Sequence, residues 1–167
     1  MKVAPTGHIA IDDNGRRTLL LTRQFAAPIE DVWAAVTEPE RLQRWIGTFT
    51  GDPASGRVSF LMTAEGEAPA QDVEIVECDP PRRLVVNLQS GERPWRLELD
   101  LAEADGGTRL TFAQPGIDPV EAESVGPGWE YYLDRLVAAR ADTPMPDWDD
   151  YYPAQSEHYA AQQAAAQ

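Results

Sequence analysis

Between Gly47 and Ala113 apolar and polar residues alternate with a period of two, and no other feature constrains the fold of this 167-residue chain as tightly. Trp95, Leu97, Leu99 and Leu101 share one parity, with Arg96, Glu98 and Asp100 on the other. The same pattern sets Val58, Phe60 and Met62 against Arg57, Ser59 and Thr63, Val73 and Ile75 against Asp72 and Glu74, and Leu84, Val86 and Leu88 against Arg83 and Asn87. Leu110 and Phe112 alternate with Arg109 and Thr111. Turn-forming clusters separate the runs: Gly51 to Gly56, Asp79-Pro80-Pro81, Gly91 to Pro94 and Asp105-Gly106-Gly107. Together they predict a meander of antiparallel strands with one dry face and one wet face.

Helical spacing brackets the meander. Arg16 to Phe25 reads as a strand, preceded by a hairpin turn at Asp12 to Gly15 that lets His8 to Ile11 pair back. Pro28 then opens a helix carrying Ile29, Val32, Trp33 and Val36, and Thr37 with Glu40 forms a capping-box pattern for a second short helix through Leu42 and Trp45. Beyond the strands, Asp118-Pro119 with Glu121 predicts a helix start, and Gly126-Pro127-Gly128 a break or kink. Trp129, Tyr132, Leu133, Leu136, Val137 and Arg140 then follow at helical spacing. Residues 142–167 predict an acidic, aromatic extension that packs in part and frays at its end, after one domain over residues 1–141.

The 28 acids outnumber the 14 bases for a formal charge of -14, which argues against a nucleic-acid partner, because phosphate affinity needs clustered Lys and Arg. The extension alone holds five acids and no base. Outward strand positions Arg57, Arg83, Arg96 and Arg109 are therefore its expected docking partners. No run approaches the roughly 20 apolar residues of a membrane helix, nor is there a signal-peptide core, so cytoplasmic location without membrane insertion is expected. Cys78, the single cysteine, excludes an internal disulfide. Without an activating neighbour in the sequence it reads as a small unreactive thiol.

A sheet that curls around the last helix leaves an apolar cavity between them, and such cavities with a few polar groups are common small-molecule sites. Inward parity and helix phase predict Trp45, Phe60, Met62, Trp95, Leu97, Phe112, Trp129, Tyr132 and Leu136 as its lining, against the plainer reading of core packing. Arg23 shares the parity of Leu19, Leu21 and Phe25, and is expected at the rim, paired with an acid or reaching a ligand's anionic group. The two histidines, His8 and His158, lie near opposite ends and outside any catalytic or metal motif. Glu74, Glu98 and Asp100 alternate outward. The residues thus predict no catalytic set, no metal site and no cofactor.

The run Arg23-Gln24-Phe25-Ala26-Ala27-Pro28-Ile29-Glu30-Asp31-Val32-Trp33, with Thr37-Glu38-Pro39-Glu40 and Arg44-Trp45, resembles the START-like (SRPBCC) superfamily. The likeness is closer to its branch of homologues of the activator of the ninety-kilodalton heat-shock protein's ATPase. Gly107 to Phe112 and Gly128 to Leu136 resemble that branch's last strand and last helix, and the likeness spans about residues 16–140. It implies an α+β helix-grip fold, as in the birch allergen: a curved antiparallel sheet of six to seven strands on a long C-terminal helix, with two short helices after the first main strand. It further implies a cavity that takes lipids, sterols, polyketides or other hydrophobic molecules. The eukaryotic co-chaperones of the branch carry an additional N-terminal domain with no counterpart in these residues.

The expected function is binding of a small hydrophobic or amphipathic molecule by a monomer or homodimer. Two rival readings stand beside it. A cyclase- or hydrolase-like enzyme would place converging titratable groups inside the cavity. A chaperone-linked adaptor would expose an apolar patch for a protein partner, completed by Trp148, Tyr151 and Tyr152.

Overall fold

The computed structural model describes residues 3–63, 69–90, 93–118 and 120–165. Its strands are β1 (His8–Ile11), β2 (Arg17–Phe25), β3 (Thr48–Thr50), β4 (Arg57–Leu61), β5 (Gln71–Asp79), β6 (Arg83–Ser90), β7 (Arg93–Ala104) and β8 (Gly107–Pro115). Helices α1 (Ile29–Thr37) and α2 (Pro39–Leu42) follow β2, and α3 (Ala122–Ala141) and α4 (Ser156–Ala165) close the chain. The strands form one open sheet in the order β1-β2-β8-β7-β6-β5-β4-β3. This is the expected α+β helix-grip class, with eight strands rather than six or seven; β3, at three residues, is too short to declare itself by alternation. The chain packs as two compact units, residues 24–111 and residues 1–23 with 112–167.

In the first of these units the meander follows the sequence pattern. Val58 of β4 pairs with Val73 of β5, which pairs with Leu88 of β6, which pairs with Trp95 of β7, so one row of apolar side chains crosses four strands. The next row holds Ile75, Val86 and Leu97. A bulge between Ile75 and Glu77 shifts the β5–β6 register, and the extra residue, Val76, is exposed. On the opposite parity Arg83 bonds Asp100 at 2.7 Å and meets Glu77 and Glu98, Arg96 meets Glu98, and Arg57 lies near Asp72 and Glu74. Asp105 and Gly106 both take positive φ between β7 and β8, the backbone a tight hairpin demands. Parts of two expected features, residues 91 and 92 of the Gly91 to Pro94 turn and residue 119 of the helix start, lie outside the described residues.

Helix α1 buries Ile29, Val32, Ala35 and Val36 on one side and places Glu30 and Asp31 in its first turn, where the helix dipole favours acids. The expected capping box does not form. Thr37 is still helical and its hydroxyl donates to the Trp33 carbonyl at 2.7 Å, leaving Glu38 as the residue before α2.

The second unit holds the larger departure from expectation, because α3 runs unbroken through Gly126-Pro127-Gly128. Proline removes the donor that would bond the carbonyl four residues back, here that of Glu123. The Ser156 hydroxyl donates to that carbonyl at 2.7 Å and so replaces the missing bond. Gly126 leaves room for the Tyr159 ring: a Cβ there would stand 2.5–2.7 Å from three ring atoms. The helix-breaking triplet is thus the seat of the extension. Asp142 ends α3 in the left-handed conformation, a short turn at Trp148–Asp150 follows, and α4 forms where fraying was expected. Tyr151 and Tyr159 are 2% and 0% exposed, so this extension belongs to the core of its unit.

Substituting Gly126→Ala should cost about 2 kcal/mol by overpacking against Tyr159, lowering Tm by about 4–8 °C. Deleting residues 143–167 should cost more. Thermal unfolding by circular dichroism checks both, and an unchanged Tm in either would contradict the seating of α4 on α3.

Candidate functional site

Three of the residues expected to line a cavity come together in the second unit. The rings of Phe112 on β8 and Trp129 on α3 lie 4.5 Å apart at 38°, and Trp129 and Tyr132 lie 6.1 Å apart at 57°. Leu136, one turn beyond Tyr132, is fully buried. β8 points Leu110, Phe112 and Gln114 to the same buried side by strand alternation. The Trp129 indole N–H donates to Gln114 Oε1 at 2.9 Å, which fixes the ring in its plane. Gln114 is 2% exposed and was not anticipated, although its parity with Leu110 and Phe112 was the available signal.

The other expected residues lie in the first unit. Trp45 is buried and spends its indole N–H on the Ala35 carbonyl at 3.0 Å, a bond that packs it against α1. Phe60 is opposite Gln71 in the β4–β5 ladder, Trp95 opposite Leu88 and Leu97 opposite Val86. Phe60 and Trp95 are half-buried, Leu97 is buried, and Met62, just past β4, is half-buried.

Titratable groups converge elsewhere, around Glu130 of α3. Its carboxylate is 1% exposed and accepts from Thr6 N and Thr6 Oγ1 at 2.6 Å each, Gly7 N at 3.1 Å, the Tyr159 hydroxyl at 2.7 Å and Arg23 Nη2 at 3.1 Å. Arg23 also donates to Asp134 at 2.9 Å, and Asp134 accepts from the buried Tyr151 hydroxyl at 2.6 Å. Of the two roles open to Arg23, the structure displays the acid pair. Burial alone would raise the Glu130 pKa, but the Thr6 and Tyr159 hydroxyls and the Thr6 and Gly7 amides outweigh it and hold the carboxyl below its ordinary value of 4.5. Burial and the neighbouring carboxylates push both tyrosines well up, so they stay protonated donors.

This cluster satisfies the expectation of an enzyme reading only in its composition. Five donors occupy a carboxylate with about four lone-pair sites, which leaves no acceptor free for a substrate proton. Sequence reasoning missed Glu130 because its partners Thr6 and Arg23 lie more than a hundred positions away. The chemistry is that of a structural clamp.

The remaining candidates form no second site. Cys78 is exposed, with its thiol pKa raised by partial burial and by Asp79, the opposite of activation. His158 is half-buried with Nε2 2.8 Å from the Gly7 carbonyl. A cleft of about 610 Å³ beside the start of α1 is lined by residues 26–30 and 103–107 and contains none of the predicted lining. Arg57, Arg83, Arg96 and Arg109 pair with acids of their own sheet region, and the extension docks through Tyr151, Gln155, Ser156 and Tyr159. Among the described residues no helix is long and apolar enough to cross a membrane, and no group of three or more His, Cys, Asp or Glu is placed to hold a metal.

Phe112 of β8 and Trp129 and Tyr132 of α3 thus gather their rings within one unit. Residues 26–140 match the family described as Activator of Hsp90 ATPase homolog 1-like protein, and the chain belongs to that family. It is similar to CalU16 from Micromonospora echinospora. Against the crystal structure of that protein it is 28% identical, over 96% of this chain and 97% of that one, with a TM-score of 0.76. Against the solution structure it is 25% identical over the full length of both chains, with a TM-score of 0.74. DynU16, a protein of the dynemicin biosynthetic locus, shares the fold at 20% identity over 81% of this chain and 50% of that one, with a TM-score of 0.59. No curated protein matches the chain.

A depressed carboxylate pKa contributes stability that is complete above the unfolded value and is lost as pH falls through the folded one. Glu130→Gln should therefore destabilise the protein by about 2 kcal/mol at neutral pH, with a deficit that shrinks as pH drops below 4.5. Urea unfolding of both proteins from pH 7 to pH 3 measures it. A deficit that stays constant or widens toward acid would contradict the assigned role.

Proposed function

We propose that this chain is a cytoplasmic binder of a small hydrophobic or amphipathic molecule, with Phe112, Trp129, Tyr132 and Leu136 as its principal contacts. Trp45, Phe60, Met62, Trp95 and Leu97 are proposed as further ligand contacts. The observation that carries the reading is the tilted triplet of Phe112, Trp129 and Tyr132. Aromatic rings offer large apolar area at little rotamer cost, and Trp129 remains only half-buried despite contact with both neighbours. DynU16 is a putative protein of the dynemicin biosynthetic locus, which supports a small biosynthetic molecule beside lipids and sterols as a candidate.

Enzymatic turnover gains no support from the described titratable cluster, since Glu130 is saturated by protein donors. The reading therefore rests on binding.

Mass spectrometry of protein purified under native conditions should release a bound apolar molecule. A thermal-shift panel of fatty acids, sterols and aromatic polyketides should contain members that raise Tm. Saturation at a hundred times Kd corresponds to about 2.7 kcal/mol, or a rise of about 5–10 °C. Trp129→Ala should cut that rise at equal ligand concentration. A protein that releases nothing and responds to no member of the panel would overturn the reading.

A further inference from the structure

We infer that the stacked rings of Trp148 and Tyr152, with the acids beside them, form a docking surface for an arginine-bearing segment of a protein partner. The inference stands apart from the ligand-binding reading and does not depend on it.

Three large apolar side chains left exposed fall together between positions 145 and 152: Met145 at 41%, Trp148 at 37% and Tyr152 at 40%. Scattered exposed apolar residues need no explanation, but a group of them marks an interaction site. The Trp148 and Tyr152 rings stack 5.5 Å apart at 8°, so their exposed portions adjoin. Their backing is fixed. Trp148 meets Tyr131 of α3 edge-on at 5.4 Å, Tyr131 meets Tyr151 at 5.5 Å, and the buried Tyr151 hydroxyl donates to Asp134 at 2.6 Å. Asp147 caps the turn by accepting from Asp149 N at 3.1 Å, and Tyr152 N donates to the Trp148 carbonyl at 3.1 Å. The rings are thus held at the surface before any partner arrives, which lowers the ordering cost of binding.

Charge selects the occupant. Residues 142–167 carry five acids and no base, and Asp147 and Asp149, on either side of Trp148 in the chain, are both exposed. A nucleic-acid backbone or an anionic lipid surface would be repelled. A second copy meeting this face with the same face would set acid against acid. A cation is attracted by the carboxylates and by the electron-rich ring faces alike. Among protein cations arginine fits best, because its planar guanidinium stacks on an aromatic ring while its N–H fork reaches a carboxylate. The same aromatic cluster already holds one such contact: the Arg135 guanidinium lies 5.6 Å over the Tyr131 ring and donates to its hydroxyl at 3.3 Å. Trp and Tyr are also the side chains that most often carry the energy of a protein interface, which favours a polypeptide as the bearer of the cation.

Two peptides of equal length and charge, one alternating arginine with glycine and the other lysine with glycine, separate ring stacking from bulk charge. Calorimetric titration of the full chain at about 0.15 M salt should give the arginine peptide an affinity about three- to fivefold above that of the lysine peptide. Trp148→Ala should erase that preference. Asp149→Asn should weaken both peptides, and Asp13→Asn, an equal loss of charge at an exposed turn elsewhere, should weaken them less. In nitrogen-15-labelled wild-type protein the arginine peptide should move the indole resonance of Trp148 and leave that of the buried Trp45 in place, a readout that needs no variant. Equal affinities for the two peptides, an unmoved Trp148 indole, or equal effects of Asp149→Asn and Asp13→Asn would overturn the proposal. Dimerisation without peptide that is lost in Trp148→Ala would assign the surface to a second copy, and binding to phosphatidylcholine vesicles lost in that variant would assign it to lipid; either result overturns the arginine partner.

Discussion

A single buried carboxylate holds three remote parts of the chain together. Charged groups are costly to remove from water, so a carboxylate as enclosed as Glu130 survives ionised only where hydrogen-bond donors replace its hydration. Those donors come from the N-terminal segment at Thr6 and Gly7, from β2 at Arg23 and from α4 at Tyr159. The result is directional: the acid dictates where α3, β2 and the extension lie against one another, which apolar contact alone would leave far looser.

The same helix carries two chemically distinct faces. Gly126, Glu130 and Asp134 face the extension, while Trp129, Tyr132 and Leu136 present aromatic and aliphatic surface at the neighbouring helical phase. Fastening one face fixes the rotation of the other. The extension lies beyond the segment matched to the family, which ends at residue 140, yet it supplies the hydroxyl that repairs α3 at Pro127 and the ring that fills the space left by Gly126. Its five acids look like a docking charge in the sequence; in the structure its tyrosines and a serine make the contacts with α3, and Asp147 caps the short turn before Tyr151.

Local pattern carried most of the fold. Strand alternation identified β2 and β4 to β8, the Asp12 to Gly15 hairpin placed β1, and helical spacing found α1 and most of α3, because each depends on residues within a few positions. Local and distant hydrogen bonds each produced a misreading. The capping box failed when Thr37 stayed within α1, and the break at Pro127 failed when Ser156, twenty-nine positions later, bonded the orphaned Glu123 carbonyl. The Ala- and Gln-rich end formed α4 because Tyr159 anchors it. For the candidate site, parity and phase singled out Phe112, Trp129 and Tyr132, and the same parity places Gln114 beside them.

The amino-acid sequence by itself determined the meander, the helices that bracket it, the absence of cationic clusters for nucleic acid and the likeness to the helix-grip superfamily. These follow from short-range periodicity and composition, which need no partner to be read. Tertiary structure alone decided that an acid on α3 would be saturated with donors and that a helix-breaking triplet would be bridged. Each is a question of hydrogen-bond satisfaction between residues far apart in the chain, and only their three-dimensional placement shows which donors and acceptors have been used.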